Sequence, residues 1–501
     1  MDWILFVRIL WITLVALLAA GVIVVLVRTF RLPKKGSVRP LPEPVSRPEE
    51  AARAAESLSE LVRFATVSHP SPEDNQVSEW VRLRDCLKRR YPHVHETMER
   101  VVVGKYSLLY RWASPDPQDE PLLFCAHLDV VPATGEWTHP AFSGELADGR
   151  VWGRGTLDCK HLIAAMLECA EKLCAEGFVP NRDIWFAFGH DEETGGKEGA
   201  AAIARLFAEQ NMRFAMVLDE GGSVSDGFFD LPQPTAIVAV SEKGFLNVRL
   251  SVDGKGGHAS KPPAHTALGV LSQAICRIEY KGRPARLTPL VRDMLLPLAS
   301  EFPFGMRLML TNLWLFRKRL LRRLLREPGT AALVRTTMAA TMSSCGTASN
   351  VLPSRAEATI NIRPLHGETV QDIVQYLRDL TKDLGVTVEA IRAEEASSIS
   401  DYQGGLFAAL SESIRAVFGL VTVVPYLMCG GTDASKYEKF SSCVYRFCPF
   451  VLNKRESGLI HNIDESVRVD ALGTAVAFYE DMFHRLAGDG KTAENQGDLI
   501  I

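Results

Sequence analysis

The sequence predicts an α/β fold, a mainly parallel sheet with flanking helices, interrupted by an inserted α+β unit. Three features support this. Short apolar runs alternate with helical ones through the first half of the chain, and strands that alternate with helices pair in parallel through crossovers. Beyond residue 240 the texture changes: "FLNVRLSVDG" and "AEATINIRPL" alternate apolar with polar residues, as a sheet with one wet face does. Finally, 501 residues of ordinary globular composition, 47% hydrophobic and 23% charged, exceed a single core and require two or more domains.

Residues 9–27 carry no charge, long enough to cross a hydrocarbon layer of about 30 Å at about 1.5 Å per residue. A secretory signal has a shorter apolar region, about 7–15 residues, and a small-x-small cleavage site. Residues 1–30 therefore read as a membrane anchor or uncleaved signal, with a long signal peptide or a misread start site as the alternatives. Residues 31–50 are rich in Pro and charge and read as a stalk. Helical patterning begins near residue 51 in "EEAARAAESLSELVRFATV", opening the first part of a main domain over 51–240. There "PLLFCAHLDVV", "DIWFAFGH" and "FAMVLDE" read as strands, and 162–174 and 200–209 as helices. A second domain is placed over 241–395; its middle is helical and contains "LWLFRKRLLRRLLRE". The main domain resumes over 396–487, with a tail at 488–501.

A net charge of −4 provides no basic field for nucleic acid, so a small-molecule substrate is the expected partner. The ten cysteines are scattered without a C-x-x-C pair, which indicates neither a disulfide framework nor a structural zinc knot. Arg28, Arg31, Lys34, Lys35 and Arg39 follow the apolar segment and only Arg8 precedes it, so the positive-inside rule places the remainder of the chain in the cytoplasm. The absence of any N-x-S/T sequon agrees with that side.

The chemistry begins in "LLFCAHLDVVPA", where His127 and Asp129 end an apolar run. Alone, a histidine at a strand end is more often a satisfied core residue than a ligand, and Asp129 is spaced to align its imidazole. Four more segments change the balance. "GRGTLDCKH" presents Asp158, "GHDEETGG" presents Glu192 and Glu193, "VLDEGG" presents Asp219, and "LIHNIDE" presents His461. Each follows or interrupts an apolar run and is edged by turn-forming residues. In open α/β sheets, ligands collect at the carboxyl ends of strands, so these segments can converge. Two imidazoles and three carboxylates suit two zinc ions with one bridging carboxylate, a site that acidifies water and polarises a carbonyl.

With these motifs in this order, residues 55–487 resemble the superfamily of dinuclear zinc exopeptidases that includes aminoacylase, carboxypeptidase G and carboxypeptidase S. The likeness is strongest to carboxypeptidase S and the N-fatty-acyl-amino-acid synthase/hydrolases, and "SEKG" and "EFPF" add to it. The resemblance implies a zinc-exopeptidase-like catalytic domain with an inserted lid, two zinc ions per chain, and replacement by cobalt or manganese. It makes Asp158 the bridging ligand, His127 and Asp219 the ligands of one ion, and Glu193 and His461 those of the other. Asp129 would orient His127, and Glu192 would be the general base. In the lid, "GKGGHAS" gives His258 and "ASNVLPSRAEATINIRP" gives Asn350 and Arg363, while "MCGGTDAS" in the main domain gives Gly430 and Gly431. By resemblance, His258 and Asn350 polarise the scissile carbonyl, and Arg363 with the glycine loop holds a substrate carboxylate. Cys159 departs from the pattern, standing where many relatives carry a second acid. The family leaves room for a homodimer through the lid, and its nearest members are secreted or luminal, which keeps the membrane side open.

The expected activity is hydrolysis of an amide bond next to a free carboxylate, in N-acyl amino acids or at peptide carboxyl termini. Its rivals are a dipeptidase requiring a free amino terminus and a membrane-anchored binding protein without turnover. The apolar stretch "MLLPLASEFPFGMRLMLTNLWLF" further suggests a lid that takes a large acyl group, or else helices that bury one another.

Overall fold

The computed structural model describes residues 3–32 and 44–488; most of the stalk expected over 31–50 and nearly all of the tail expected over 488–501 lie outside them. The chain divides into two compact units, residues 40–242 with 397–501, and residues 1–39 with 243–396.

The larger unit is built on an eight-stranded sheet. Edge to edge, its strands are Glu99–Val103, Ser107–Trp112, Ile184–Gly189, Leu122–His127, Met216–Ser225, Val444–Leu452, Thr235–Glu242 and Thr422–Met428. The central pairings Ile184–Gly189 with Leu122–His127, Leu122–His127 with Met216–Ser225, and Met216–Ser225 with Val444–Leu452 are parallel. Strand Leu122–His127 is buried at every position, which requires a helix layer on each face. Alternate residues serve the two layers. Leu123 and Cys125 join Ile203, Ala204 and Phe207 of helix Ala200–Glu209. Phe124 turns the other way, its ring 5.1 Å from Phe483 of helix Val469–Ala487. A fully buried Phe of this kind contributes ~1.5–3 kcal/mol. Helices Pro48–Val62 and Lys160–Ala175 complete that second layer.

The smaller unit contains a four-stranded antiparallel sheet in the order Thr337–Cys345, Arg355–Arg363, Phe245–Asp253, Thr387–Glu394. The period-two pattern of "FLNVRLSVD" puts Leu246, Val248, Leu250 and Val252 on one face, where helices Ala267–Lys281 and Val370–Thr381 cover them. Thr369 starts the second of these helices with a capping box, its hydroxyl accepting from Asp372 N while Asp372 Oδ2 accepts from Thr369 N. Between sheet strands lie short helices over residues 289–334, broken at Pro297, Pro303 and Pro328. Most apolar side chains of this stretch bury one another: Met294, Leu295, Leu298, Met309 and Leu310 are at most 8% exposed. They fill the insertion's own core, which answers the acyl-pocket question for these residues on the side of packing.

The smaller unit also includes the helix Trp3–Arg31, the one helix among the described residues long and apolar enough to cross a membrane. Nearly all of it is exposed, but Val25 and Thr29 are buried.

Candidate active site

The site is assembled in the larger unit at the carboxyl ends of its parallel strands. His127 is the last residue of its strand and is 1% exposed. Its Nδ1 lies 2.9 Å from the backbone oxygen of Asp129 and 3.4 Å from Asp129 Oδ1. A proton on Nδ1 is therefore satisfied, leaving the Nε2 lone pair to face the cleft. Asp129 is fully buried. Its Oδ2 accepts from Ser68 Oγ at 2.7 Å and from Glu193 N at 3.1 Å, and its Oδ1 accepts from Glu192 N at 3.2 Å. One carboxylate thus orients the imidazole and also fixes the backbone of the two glutamates that follow the neighbouring strand.

Asp158 stands between the two histidines. Its Oδ1 is 2.9 Å from His127 Nε2, and its Oδ2 is 2.8 Å from His461 Nε2. Glu193 Oε1 is 3.2 Å from the same His461 nitrogen. Two clusters share Asp158: His127, Asp158, Cys159 and Glu220, and Asp158, Glu193 and His461, in each of which the ligand atoms lie within 4.8 Å of one another. His461 has φ +62°, the left-handed region uncommon for side-chain-bearing residues. The turn before Asp158 requires Gly155, whose φ is +90° and whose missing Cβ would lie 2.8 Å from Val130 Cγ1. Behind the Glu193 loop, Gly196 at φ +66° leaves room that a Cβ would take from Asp433 Oδ1.

At one corner the geometry differs from the expected arrangement. Asp219, expected to face His127, instead accepts from Ala434 N at 2.7 Å and from Glu220 N at 2.9 Å. It is Glu220 whose Oε1 lies 3.3 Å from His127 Nε2. Successive residues of a strand point to opposite sides, so "DE" offers either residue to the cleft and only the strand's register decides. Sequence reasoning also missed Glu465. It is fully buried, accepting with Oε1 from Gly155 N, Leu157 N and Asp158 N at 3.1, 2.7 and 3.2 Å, and with Oε2 from Arg154 Nη1 at 2.5 Å. The signal was a second acid within "LIHNIDE", indistinguishable there from a turn residue. Cys159 is buried and its Sγ accepts from His127 N at 3.1 Å. Burial pushes its thiol well above the usual range, so it packs as a neutral group.

The remaining residues expected to bind substrate divide between the units. Gly430 and Gly431 follow strand Thr422–Met428 in the larger unit. In the smaller unit His258 is exposed, with Nδ1 2.8 Å from Ser260 Oγ. Asn350 lies beside it, its backbone oxygen accepting from Ala259 N. Arg363 ends its strand with the guanidinium over Phe245, 4.8 Å from the ring centroid.

Electrostatics explain what the cluster accepts. Burial opposes ionisation of Asp158, but hydrogen bonds to His127 and His461 hold its carboxyl well below the usual range. The same contacts with Asp158, and those with Glu193, push His461 up to about 10. Burial alone would lower His127; the nearby acids, Glu220, Asp129 and Asp158 among them, raise it well above its ordinary value. Burial pushes Glu220 up to about 8 and raises Glu192 well above the ordinary carboxylate value, with neighbouring acids adding to both. The cleft thus crowds carboxylates against two imidazoles and raises the proton affinity of both. Nitrogen and oxygen donors in this number and closeness fit divalent cations of zinc's type, with the two oxygens of Asp158 already divided between the two clusters.

Residues 123–485 match the model of peptidase family M20/M25/M40. Over 435 residues the chain is 36% identical to probable carboxypeptidase S-like 2 of Dictyostelium discoideum, covering 85% of this chain and 83% of that one. It is 36% identical over 460 residues to the N-fatty-acyl-amino acid synthase/hydrolase PM20D1 of Bos taurus, covering 90% and 91%. Among solved structures, an M20 family metallo-carboxypeptidase from Sulfolobus solfataricus superposes with a TM-score of 0.66 at 17% identity, covering 86% of this chain and 98% of that one. The clustered imidazoles and carboxylates, the fold beneath them and these likenesses agree: the chain belongs to peptidase family M20/M25/M40 and is a metallopeptidase-type hydrolase.

Proposed function

We propose that this enzyme hydrolyses amide bonds next to a free carboxylate, in N-acyl amino acids or at peptide carboxyl termini. The observation that carries the reading is Asp158, whose two oxygens address the imidazoles of His127 and His461 at 2.9 and 2.8 Å. His127 and Glu220 would hold one zinc ion, Glu193 and His461 the other, and Asp158 would bridge them. When bound, such ions polarise a carbonyl and make water acidic.

The chain's own residues supply the rest. Asp129 fixes His127 in the tautomer that leaves Nε2 free and anchors the amides of Glu192 and Glu193. Glu192 takes a proton from the attacking water and delivers it to the leaving nitrogen; burial, which raises its pKa above the ordinary carboxylate value, suits a group that must both accept and return a proton. As the C–N bond breaks, the water oxygen stays on the acyl carbon, giving a free acid and a free amine. His258 and Asn350 would donate to the carbonyl oxygen, and Arg363 with the Gly430–Gly431 backbone would bind the substrate carboxylate. The helix Trp3–Arg31 would anchor the enzyme in a membrane.

The relatives' names support the substrate class, and a chain-length series tests it. The comparison is of kcat/KM for N-acetyl, N-octanoyl and longer N-acyl forms of one amino acid, each below its micelle concentration, beside blocked and unblocked dipeptides. A fatty-acyl preference should raise kcat/KM by about two orders of magnitude for four added carbons, at about 0.8 kcal/mol per buried methylene. Hydrolysis confined to unblocked dipeptides overturns the reading in favour of a dipeptidase.

A further inference from the structure

The apolar N-terminal helix is seated on the helical insertion of the smaller unit, and only at its last turns. Asn312, fully buried, donates through Nδ2 to Val25 O and Thr29 Oγ1, each at 3.2 Å. Thr29 Oγ1 also lies 3.2 Å from Thr311 Oγ1, and the rings of Phe30 and Phe304 are 5.9 Å apart. These contacts fall where the uncharged run of residues 9–27 gives way to Arg28 and Arg31. In a membrane-spanning helix that is the headgroup level. The insertion is therefore held at the depth where a bilayer meets water.

The insertion's outer surface matches that depth. Helix Leu313–Leu324 turns Leu320 and Leu324 inward and leaves Trp314 and Leu315 63% and 53% exposed, with Phe304 of the preceding helix 45% exposed. Arg317, Lys318, Arg319, Arg322 and Arg323 are exposed on it and Arg326 just past its end, and no acid occurs between Glu301 and Glu327. A short amphipathic helix with an outward Trp and a run of cations is the pattern of an interfacial, anionic-lipid-binding element. In water the same surface would leave large apolar groups uncovered beside unneutralised charge.

We propose that the helix Leu313–Leu324, with Phe304, is a second membrane contact that lays the smaller unit on an anionic leaflet beside the N-terminal span. The proposal rests on reading Trp3–Arg31 as a span, and its test keeps the two apart. The full chain is reconstituted in lipid nanodiscs of phosphatidylcholine alone or with 30% phosphatidylserine, each with and without brominated acyl chains. Resistance to carbonate extraction from vesicles reports the span. Docking is read as the fluorescence component lost in Trp314→Phe. In serine-lipid discs, brominated chains should quench that component at least twofold. Plain phosphatidylcholine, or replacement of the six cations by Gln, should remove at least half of that quenching. A Trp314 component untouched by brominated lipid but open to aqueous acrylamide, or shielded from both by self-association or another protein, overturns the proposal. So does quenching equal in both lipids. Loss of carbonate resistance overturns the span instead, and Trp314 quenching on anionic vesicles incubated with that chain then decides the docking face alone.

Discussion

Replacing Glu465 by Gln should loosen the active site without touching any residue assigned to metal or substrate. The Glu465 carboxylate is fully buried and gathers three backbone amides of the Gly155–Asp158 turn together with Arg154, itself 3% exposed. Gln keeps the shape but sets a neutral amide against a buried guanidinium whose other hydrogen bond runs to Asn462 O. Breaking a buried ion pair on one side costs about 3–5 kcal/mol, because the remaining charge is uncompensated. At ~2.1 cal/mol/K per residue, the roughly 300 residues of the larger unit turn that into a melting-point drop of ~5–8 °C. The turn carries Asp158, so cation content should fall with it. Differential scanning calorimetry and metal analysis of dialysed protein at pH 8, above the value of about 7 to which burial raises Glu465, would measure the two effects. An unchanged melting point with full metal content would refute the reasoning, showing that the turn holds Asp158 without its buried acid. A melting point lowered with metal retained would assign Glu465 to stability alone.

Glu192→Gln should retain its metal, measured by elemental analysis, while kcat falls by about 10²–10⁴, the span of a lost general base. Near-normal turnover would exclude Glu192 from proton transfer. Glu220→Ala should lose cation from the His127 cluster, whereas Asp219→Asn should keep it and lose thermal stability through its bond to Ala434 N; the reverse assignment in metal titrations would place Asp219 in the cleft. Without metal, contacts with Asp158 and Glu193 push His461 up to about 10, and the surrounding acids raise His127 as well, so cations must expel protons and zinc affinity should tighten as pH rises from 6 to 8, up to tenfold per pH unit for each proton released. Calorimetry in buffers of different ionisation enthalpy would read the protons, and a buffer-independent heat would contradict this.

The parallel sheet was legible because its strands are short, largely apolar and separated by helices of recognisable period. "LLFCAH" has no polar face to hide, and a strand buried on both sides belongs in the middle of such a sheet. The segments bearing His127, Asp158, Glu193 and His461 could be picked out because each ends an apolar run at a glycine or other turn residue. What was not legible is which way adjacent acids point. Nothing in "VLDEGG" separates Asp219 from Glu220; pairing of Val444, Tyr445 and Arg446 with Val217, Leu218 and Asp219 sets the register, and that is a long-range fact. Glu465 was hidden for the same reason, since its partners lie some three hundred positions away. The contact between Thr29 and Asn312 is equally remote in sequence. The insertion's apolar excess could be counted but not apportioned: only packing separates the buried Met309 and Leu310 from the exposed Trp314 and Leu315.

A common device runs through these hidden residues. Several of the segments that carry cleft-facing groups are tied by an acid turned toward backbone amides. Asp129 holds the amides of Glu192 and Glu193, Asp191 those of Glu198 and Gly199, Asp219 those of Glu220 and Ala434, and Glu465 those of Gly155, Leu157 and Asp158. Backbone amides are donors that do not ionise, so a carboxylate whose oxygens they occupy fixes a loop without competing for a cation. Concentrating acids in this way has a cost, seen where burial drives Asp219 and Asp433 above the ordinary carboxylate range and Glu465 up to about 7. Divalent charge in the cleft would offset it. The outer acids hold the donors in place through the backbone, and where ionised they would add to a negative field that draws a cation in.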